Sequence, residues 1–416
     1  MTSASKFLQF ARCASVMALA ALPLGAAAQD APEPVTLTIA NSQWLDALRG
    51  ENLWNALLKY QEVAPHVTLE QRPIPSSEFA ARITTELATG QGPDLAIMLE
   101  PVFYALADAG LLADLTPVVD GHDDLNITNE SGMIDGHQYG IAWQRAVYGL
   151  IYNKALLDKA GASVPTTVDE LITSASMVKE ATGAQGFAAR HQMNEFEVWS
   201  LDFQNWAFGN GVHYVDDAGN LTIDTPELAA AFRDFKKVYD ADVIPRGDDM
   251  STQRNRFKSE QMGFSIDNTG GSLNIASGGA MPSTDLYTAP LPFEHVGAHN
   301  QLFITVSDSS ENREAAFDFL DWLIGPDGQV ALRAVSGPDA LATDVPMLPE
   351  FAAQHPWAEE MVELAKTSRS PLIPGYETRT NSIMRFVMTA LEEVLVADAD
   401  PETVLAQAQE RIDREF

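Results

Sequence analysis

The residues of this 416-residue sequence that could do chemistry are dispersed acids, arginines and tryptophans, with no catalytic signature among them. A nucleophile elbow would read G-x-S-x-G, a zinc-protease helix H-E-x-x-H, and phosphate or dinucleotide loops would carry their own glycine patterns. None of these occurs. The eight histidines are scattered. His122-Asp123-Asp124 is a dense group, but it follows Asp120-Gly121 and reads as a polar loop. Asp216-Asp217-Ala218-Gly219-Asn220 looks like the start of a calcium loop without its closing acid, and a hairpin turn accounts for it. No metal and no cofactor is expected. One catalytic reading stays open: two carboxylates such as Glu100 and Asp267 could serve a secreted glycoside hydrolase as acid and nucleophile or base.

Composition narrows the classes. Against 58 acids stand 26 lysines and arginines, a formal charge of −32. That field repels nucleic acid and anionic lipid, so neither is an expected partner. The acids are spread along the chain, which argues against a disordered acidic tail. At the N-terminus, Lys6 and Arg12, an apolar stretch over 14–24 and Gly25-Ala26-Ala27-Ala28 occur in the order of a secretory signal peptide. Cleavage is expected after Ala28, with residues 1–28 removed and the mature chain delivered to the periplasm. The apolar stretch is too short to span a bilayer. The single cysteine, Cys13, falls inside it and follows Arg12, without the small-residue context of a lipid-attachment site. A chain cleaved after Ala28 keeps no thiol, which excludes disulfides, thiolate catalysis and cysteine metal sites. Its stability must then come from packed cores, and its length suggests two, since single cores stop growing near ~250–300 residues.

Periodicity supplies the elements. The run 35–40 alternates as a strand, 51–63 has helical spacing, 66–74 is a second strand, and Ser76 and Ser77 can cap a helix through Leu87. Gly90, Gly92 and Pro93 stop that helix before a buried strand at 94–99, and 103–109 is helical. This β-α-β-α-β order predicts a mainly parallel sheet covered by helices. A second block begins near 145. It has a strand and helix ending at Gly161, a capping-box helix from Thr167, and a proline-started helix over 226–239. A strand follows at 262–268, an amphipathic helix at 311–325, and a helical C-terminal third.

Four segments in this order carry a likeness: LATGQGPDLAIM (87–98), AGLLADLTPVVD (109–120), DGHQYGIAW (135–143) and YGLIYNKALLDKAGASVPTTVDEL (148–171). With NRFKSEQMGFSID, TAPLP, ENREAAFDFLDWL and PETVLAQAQERI they resemble the extracellular solute-binding proteins of carbohydrate ABC importers, the maltose-binding protein group. The resemblance implies an α/β, type II-like periplasmic binding protein fold of two lobes. Each lobe would be a mainly parallel sheet flanked by helices. The expected lobes are 29–142 with 267–320, and 143–266 with 321–416. Three crossings would form the hinge, near 141–145, 265–268 and 306–326. It further implies a monomer without enzymatic activity that captures a sugar between the lobes. An ABC permease with a separate ATPase would receive that sugar.

A sugar site needs flat rings for C–H faces and short polar groups for hydroxyls. By position in the family, Ser42, Gln43 and Trp44 follow the first strand, although Trp44 could instead pack over the next helix. Glu100 follows strand 94–99 and could accept two hydroxyl hydrogen bonds. Trp143 and Arg145 lie at the first crossing. Asn194 and Phe196, with Trp199 behind them, match a loop of the second lobe. Asp267 and Asn268 follow strand 262–266. Members of the group stack a tryptophan shortly beyond this point, where this chain has Thr269-Gly270-Gly271, which suggests closer backbone approach to a smaller solute. Tyr376 and Arg379 sit in a late loop. Arg145, Arg190 and Arg379 stand out in so acidic a chain. Guanidinium forks bind carboxylate, sulfonate and phosphate, so an acidic sugar derivative or sugar phosphate is the alternative ligand.

Overall fold

Three parallel strands open the fold. β1 (Val35–Asn41) pairs with β2 (Val67–Pro73) on one side and β3 (Leu95–Leu99) on the other. The computed structural model describes residues 32–46 and 49–416, so the expected signal peptide and Cys13 lie outside the described residues. The remaining strands are β4 (Met133–Ile134), β5 (His137–Gln138), β6 (Ile141–Asn153), β7 (Gln185–Ala188), β8 (Met262–Asn268), β9 (Leu286–Ala289) and β10 (His299–Val306). Their order is β2-β1-β3-β10-β6-β8-β7, with β9 also on β6 and β4-β5 a separate hairpin. The β7–β8 pair is parallel, and within this order every antiparallel pairing involves β6 or β10. The result is the expected two-lobe α/β class, each sheet flanked by helices.

The thirteen-residue strand β6 is the spine that joins the lobes. Its first half, Ile141–Val147, pairs with β10, and its second half, Tyr148–Asn153, pairs with β8 and β9. A register shift between Leu302 and Phe303 bulges the β6–β10 ladder. Bulges sharpen local twist and re-aim side chains, as a hinge strand serving two sheets requires.

Hydrophobic periodicity decides what each sheet face buries. In the first lobe, Leu37, Ile39, Ile97 and Ile304 pack against Leu53, Leu57, Phe319 and Leu323, while Met98 and Phe303 on the opposite face pack against Phe79, Ile83 and Phe103. In the second lobe, Leu150, Phe187, Phe264 and Ile266 meet Phe203, Trp206, Phe232, Phe235 and Met388. On its other face Ile151 and Met262 meet Phe257, Trp357 and Met361.

These cores move the lobe boundaries expected from sequence. Residues 267–289, assigned above to the first lobe, stay with the second. Asp267 and Asn268 pair with Gly149 and Tyr148, and Ile275 and Met281 pack with Trp357. Residues 321–342, assigned to the second lobe, stay with the first, where Leu323, Ile324, Leu332, Leu341 and Ala342 are core. The reason is local. Gly325, with φ −70° and ψ 169°, ends helix Arg313–Ile324 and also starts helix Pro326–Ser336. The apolar stripe therefore continues over the same core instead of leaving it. The third crossing runs through 338–347, where Ala340 bridges Arg145.

Candidate functional site

The cleft between the lobes is lined by residues from both. The first lobe gives Ser42 after β1, Phe79 on helix Ser76–Ala88, and Glu100 after β3; β10 gives Asn300 and Leu302; the second lobe gives Glu197, Pro371 and Asn381. The space is narrow, about 110 Å³. Its floor is apolar and aliphatic, from Ile97, Leu99, Val102 and Leu201 among others. Its charged lining groups are the carboxylates Glu100 and Glu197, with no lysine or arginine among the lining residues.

Glu100 is the most constrained of these. It begins helix Glu100–Asp108, with Pro101 next, earlier than the periodicity suggested, because proline suits a first turn. The residue is 2% exposed. Its Oε2 accepts from the Ser370 hydroxyl at 2.8 Å, while the buried Oε1 has no hydrogen-bond partner among the described residues. Burial pushes the carboxyl up to about 7, against the Ser370 bond and the more distant Arg145 charge, which pull it down. A buried acceptor without a donor is costly, by roughly 1–3 kcal/mol, unless a ligand supplies the donor.

Gln43 stands beside the cleft as an organiser. Its Oε1 accepts from Asn41 Nδ2 and from the Trp143 indole, both at 2.9 Å, and its Nε2 donates to Gln144 Oε1 at 2.9 Å. Trp143 is fully buried in the first-lobe core. Trp44 is also core: its indole donates to the Ile39 carbonyl at 2.9 Å, and it meets Trp54 and Trp143 edge-on. Neither tryptophan presents a face to the cleft, which corrects the stacking role expected of them. Trp143→Ala should therefore cost about 3–5 kcal/mol of stability, the usual loss for a buried tryptophan, and should also strand Gln43. A denaturant midpoint unchanged from wild type would contradict this placement.

The second-lobe residues are held elsewhere. Arg190, 2% exposed, pairs with Asp202 at 2.6 Å and Asp267 at 3.4 Å. Arg254 grips Asp267 through Nε at 2.8 Å and Nη2 at 2.7 Å. Burial alone would raise the Asp267 carboxyl, but the two guanidiniums hold it well below the usual carboxylate range. This cluster is internally neutralised and reaches no lining of the cleft. Asn268 caps helix Thr269–Ala276 through the Gly271 amide at 2.9 Å. A Cβ on Gly271 would sit 2.3 Å from the Asp267 carboxylate, and one on Gly270 would sit 2.9 Å from Arg49 Nη1. Those glycines make room for the protein's own ion network, not for a closely approaching solute.

The other expected residues scatter. Asn194 is exposed on the turn Met193–Glu195. Phe196 is buried beneath the Arg385 guanidinium at 4.1 Å. Tyr376 packs half-buried against the second-lobe core, and Arg379 is exposed, 5.8 Å from the Phe416 ring. Arg145 donates Nε to Gln301 at 2.7 Å, on the sheet face opposite Asn300 and Leu302. Of the expected residues, Ser42 and Glu100 line the cleft. Missed were Glu197, Asn300 and Asn381. Glu197 was legible in part: Phe196 and Trp199 turn inward, so Glu197 and Leu201, four apart, share the opposite helix face. Asn300 carried no signal, because only strand pairing brings it there.

No group of three or more histidine, cysteine, aspartate or glutamate side chains placed to hold a metal occurs among the described residues. His122 pairs with Asp321 at 2.8 Å, and Asp216 accepts the amides of Ala218 and Asn220, closing the turn.

Residues 46–330 match the family of bacterial extracellular solute-binding proteins. A binding protein of Brucella abortus is 22% identical over 361 residues, 84% of this chain and 86% of that protein. The maltotriose-binding protein of Pyrococcus abyssi is 21% identical over 384 residues, 85% and 77%. Among solved structures, maltose-bound MalE3 of T. maritima superposes with a TM-score of 0.79 at 21% identity, over 92% of this chain and 100% of that one. The GacH receptor of Streptomyces glaucescens, solved unliganded and with acarbose, gives 0.77 at 21% identity, over 92% and 98%. The family match spans well over half of the chain, and the chain belongs to the bacterial extracellular solute-binding proteins.

Proposed function

We propose that this chain is the exported, non-catalytic capture subunit of an ABC importer for a neutral sugar or polyol, bound between the lobes against Glu100. The buried, unpartnered Oε1 of Glu100 carries this reading, because a solute hydroxyl supplies the donor it lacks. Ser42, Asn300 and Asn381 add short polar groups around it. Two cleft carboxylates and no cleft cation disfavour the acidic sugar or sugar phosphate. The Glu100/Asp267 pair of the hydrolase reading is not available, since Asp267 is committed to Arg190 and Arg254. Related structures carry maltose, cycloalternan and ribitol, neutral polyhydroxyl compounds of very different size. The present cleft is below the ~300–1,000 Å³ usual for small-ligand sites. Admission therefore requires the lobes to part, and closure on both walls selects the bound state. Delivery would fall to a membrane permease and a separate ATPase, with the leader removed after Ala28.

The test is a melting-temperature panel of neutral sugars, polyols, uronates and sugar phosphates. One neutral compound is expected to stabilise the fold, by roughly 2.7 kcal/mol at a hundredfold excess over Kd. A response confined to the anionic members, or release of product from a glycoside, would overturn the reading.

A further inference from the structure

A larger cavity, about 620 Å³, lies on the other side of the hinge. Its walls come from every part of the joint: Asn126–Thr128 of the first lobe, Arg145 of β6, the crossing 338–347, and Val362, Ala365 and Lys366 at the end of helix Trp357–Ala365 in the second lobe. Leu341, Pro346, Met347, Val362 and Ala365 make much of the lining apolar.

Two guanidiniums face this greasy space. Arg145 is 8% exposed and Arg333 6% exposed, and neither forms an ion pair among the described residues. That is unusual in a chain with 58 acids and 26 bases, whose other buried arginine, Arg190, holds two carboxylates. Arg333 spends Nε and Nη1 on the carbonyls of Val345, Gly337 and Asp339. Arg145 spends only Nε, on Gln301, leaving both terminal nitrogens without a hydrogen-bond partner among the described residues. Glu100 and Glu130 act on Arg145 only through space. The acid at the rim, Asp344, is exposed and bonded to Asn126 at 2.8 Å. A buried cation without a contact anion is expensive to keep charged, and an external carboxylate would relieve that cost.

We propose that this cavity is a second binding site, for an organic anion with an aliphatic body, a medium-chain carboxylate whose head pairs with Arg145. The assignment is independent of what the cleft binds. Such an occupant touches both lobes and the strand between them, so its binding biases the opening equilibrium.

The probe is octanoate, titrated calorimetrically into the full protein without any cleft solute, with 1-octanol and acetate as controls. Saturable octanoate binding is expected, at least tenfold tighter than either control. Arg145→Gln should weaken it tenfold or more. Ala365→Phe, which fills the apolar end without touching the guanidinium, should weaken it similarly while leaving the melting temperature intact. Equal binding of octanol shows grease alone and overturns the proposal, as does undiminished octanoate binding by Ala365→Phe or no saturable binding by wild type. A flat sugar panel would leave this result standing, so the two readings fail separately.

Discussion

Glu100→Gln is expected to raise the free energy of unfolding at pH 8 by about 3 kcal/mol relative to its effect at pH 4.5, while lowering solute affinity at least tenfold. The carboxyl sits near 7 when folded and near 4.5 otherwise, because burial disfavours its charge. The folded chain thus keeps a proton that the unfolded chain releases between these values. Wild-type stability from this group is fully present below pH 4.5 and is lost as pH rises through 7. Glutamine keeps the acceptor for Ser370 and removes the titration, so the variant gains on wild type across that window. Solute binding moves the other way. The ionised Oε1 is the stronger acceptor for a hydroxyl, so wild-type affinity should rise between pH 6 and 8, and the variant's should be low and flat. Urea denaturation at both pH values, with calorimetry on the solute found by the panel, checks both halves. A stability increment that is the same at pH 4.5 and 8 would remove the buried charge from the account. Unchanged affinity would remove Glu100 from the site.

Asp267→Asn is expected to cost about 3–5 kcal/mol, the range for taking one partner from a buried ion pair. Two guanidiniums depend on that carboxylate, and Arg190 is 2% exposed, with Asp202 its remaining anion. The sign with pH is opposite to that of Glu100. Asp267 is held below the usual carboxylate range, so its contribution is present above about pH 4 and is lost as pH falls below that. Wild type should therefore lose stability between pH 4 and 2 through this group, and the asparagine variant should lack that component. The solute response should survive at temperatures where the variant is folded, since Asp267 does not line the cleft. A loss of binding without a loss of stability would return Asp267 to the ligand site.

Much of the scaffold was legible because it is local. The alternation of 35–40, the cap at Thr167, the stop at Gly161 and the proline start at 226 each act within one turn or strand. The segments that carry the family likeness include the same punctuation, Gly90, Gly92, Pro93, Gly161 and Thr167. The helix Pro326–Ser336 was harder to read, since its starting glycine also looks like an end.

By itself the sequence determined the charge, the α/β order and the presence of Ser42 and Glu100 after strands that end at the cleft. Those follow from composition and short-range periodicity. Only the tertiary structure decided which side chains share a space. It buried Trp44 and Trp143 in the first-lobe core, spent Arg190 on Asp202 and Asp267, and turned Arg145 to the far side of the hinge by the alternation of β6. It also brought Asn300 to the cleft from 200 residues beyond Glu100, through the antiparallel pairing of β10 with β3 and β6. Chain order limits neither choice, because strand pairing and core packing are satisfied by residues hundreds of positions apart.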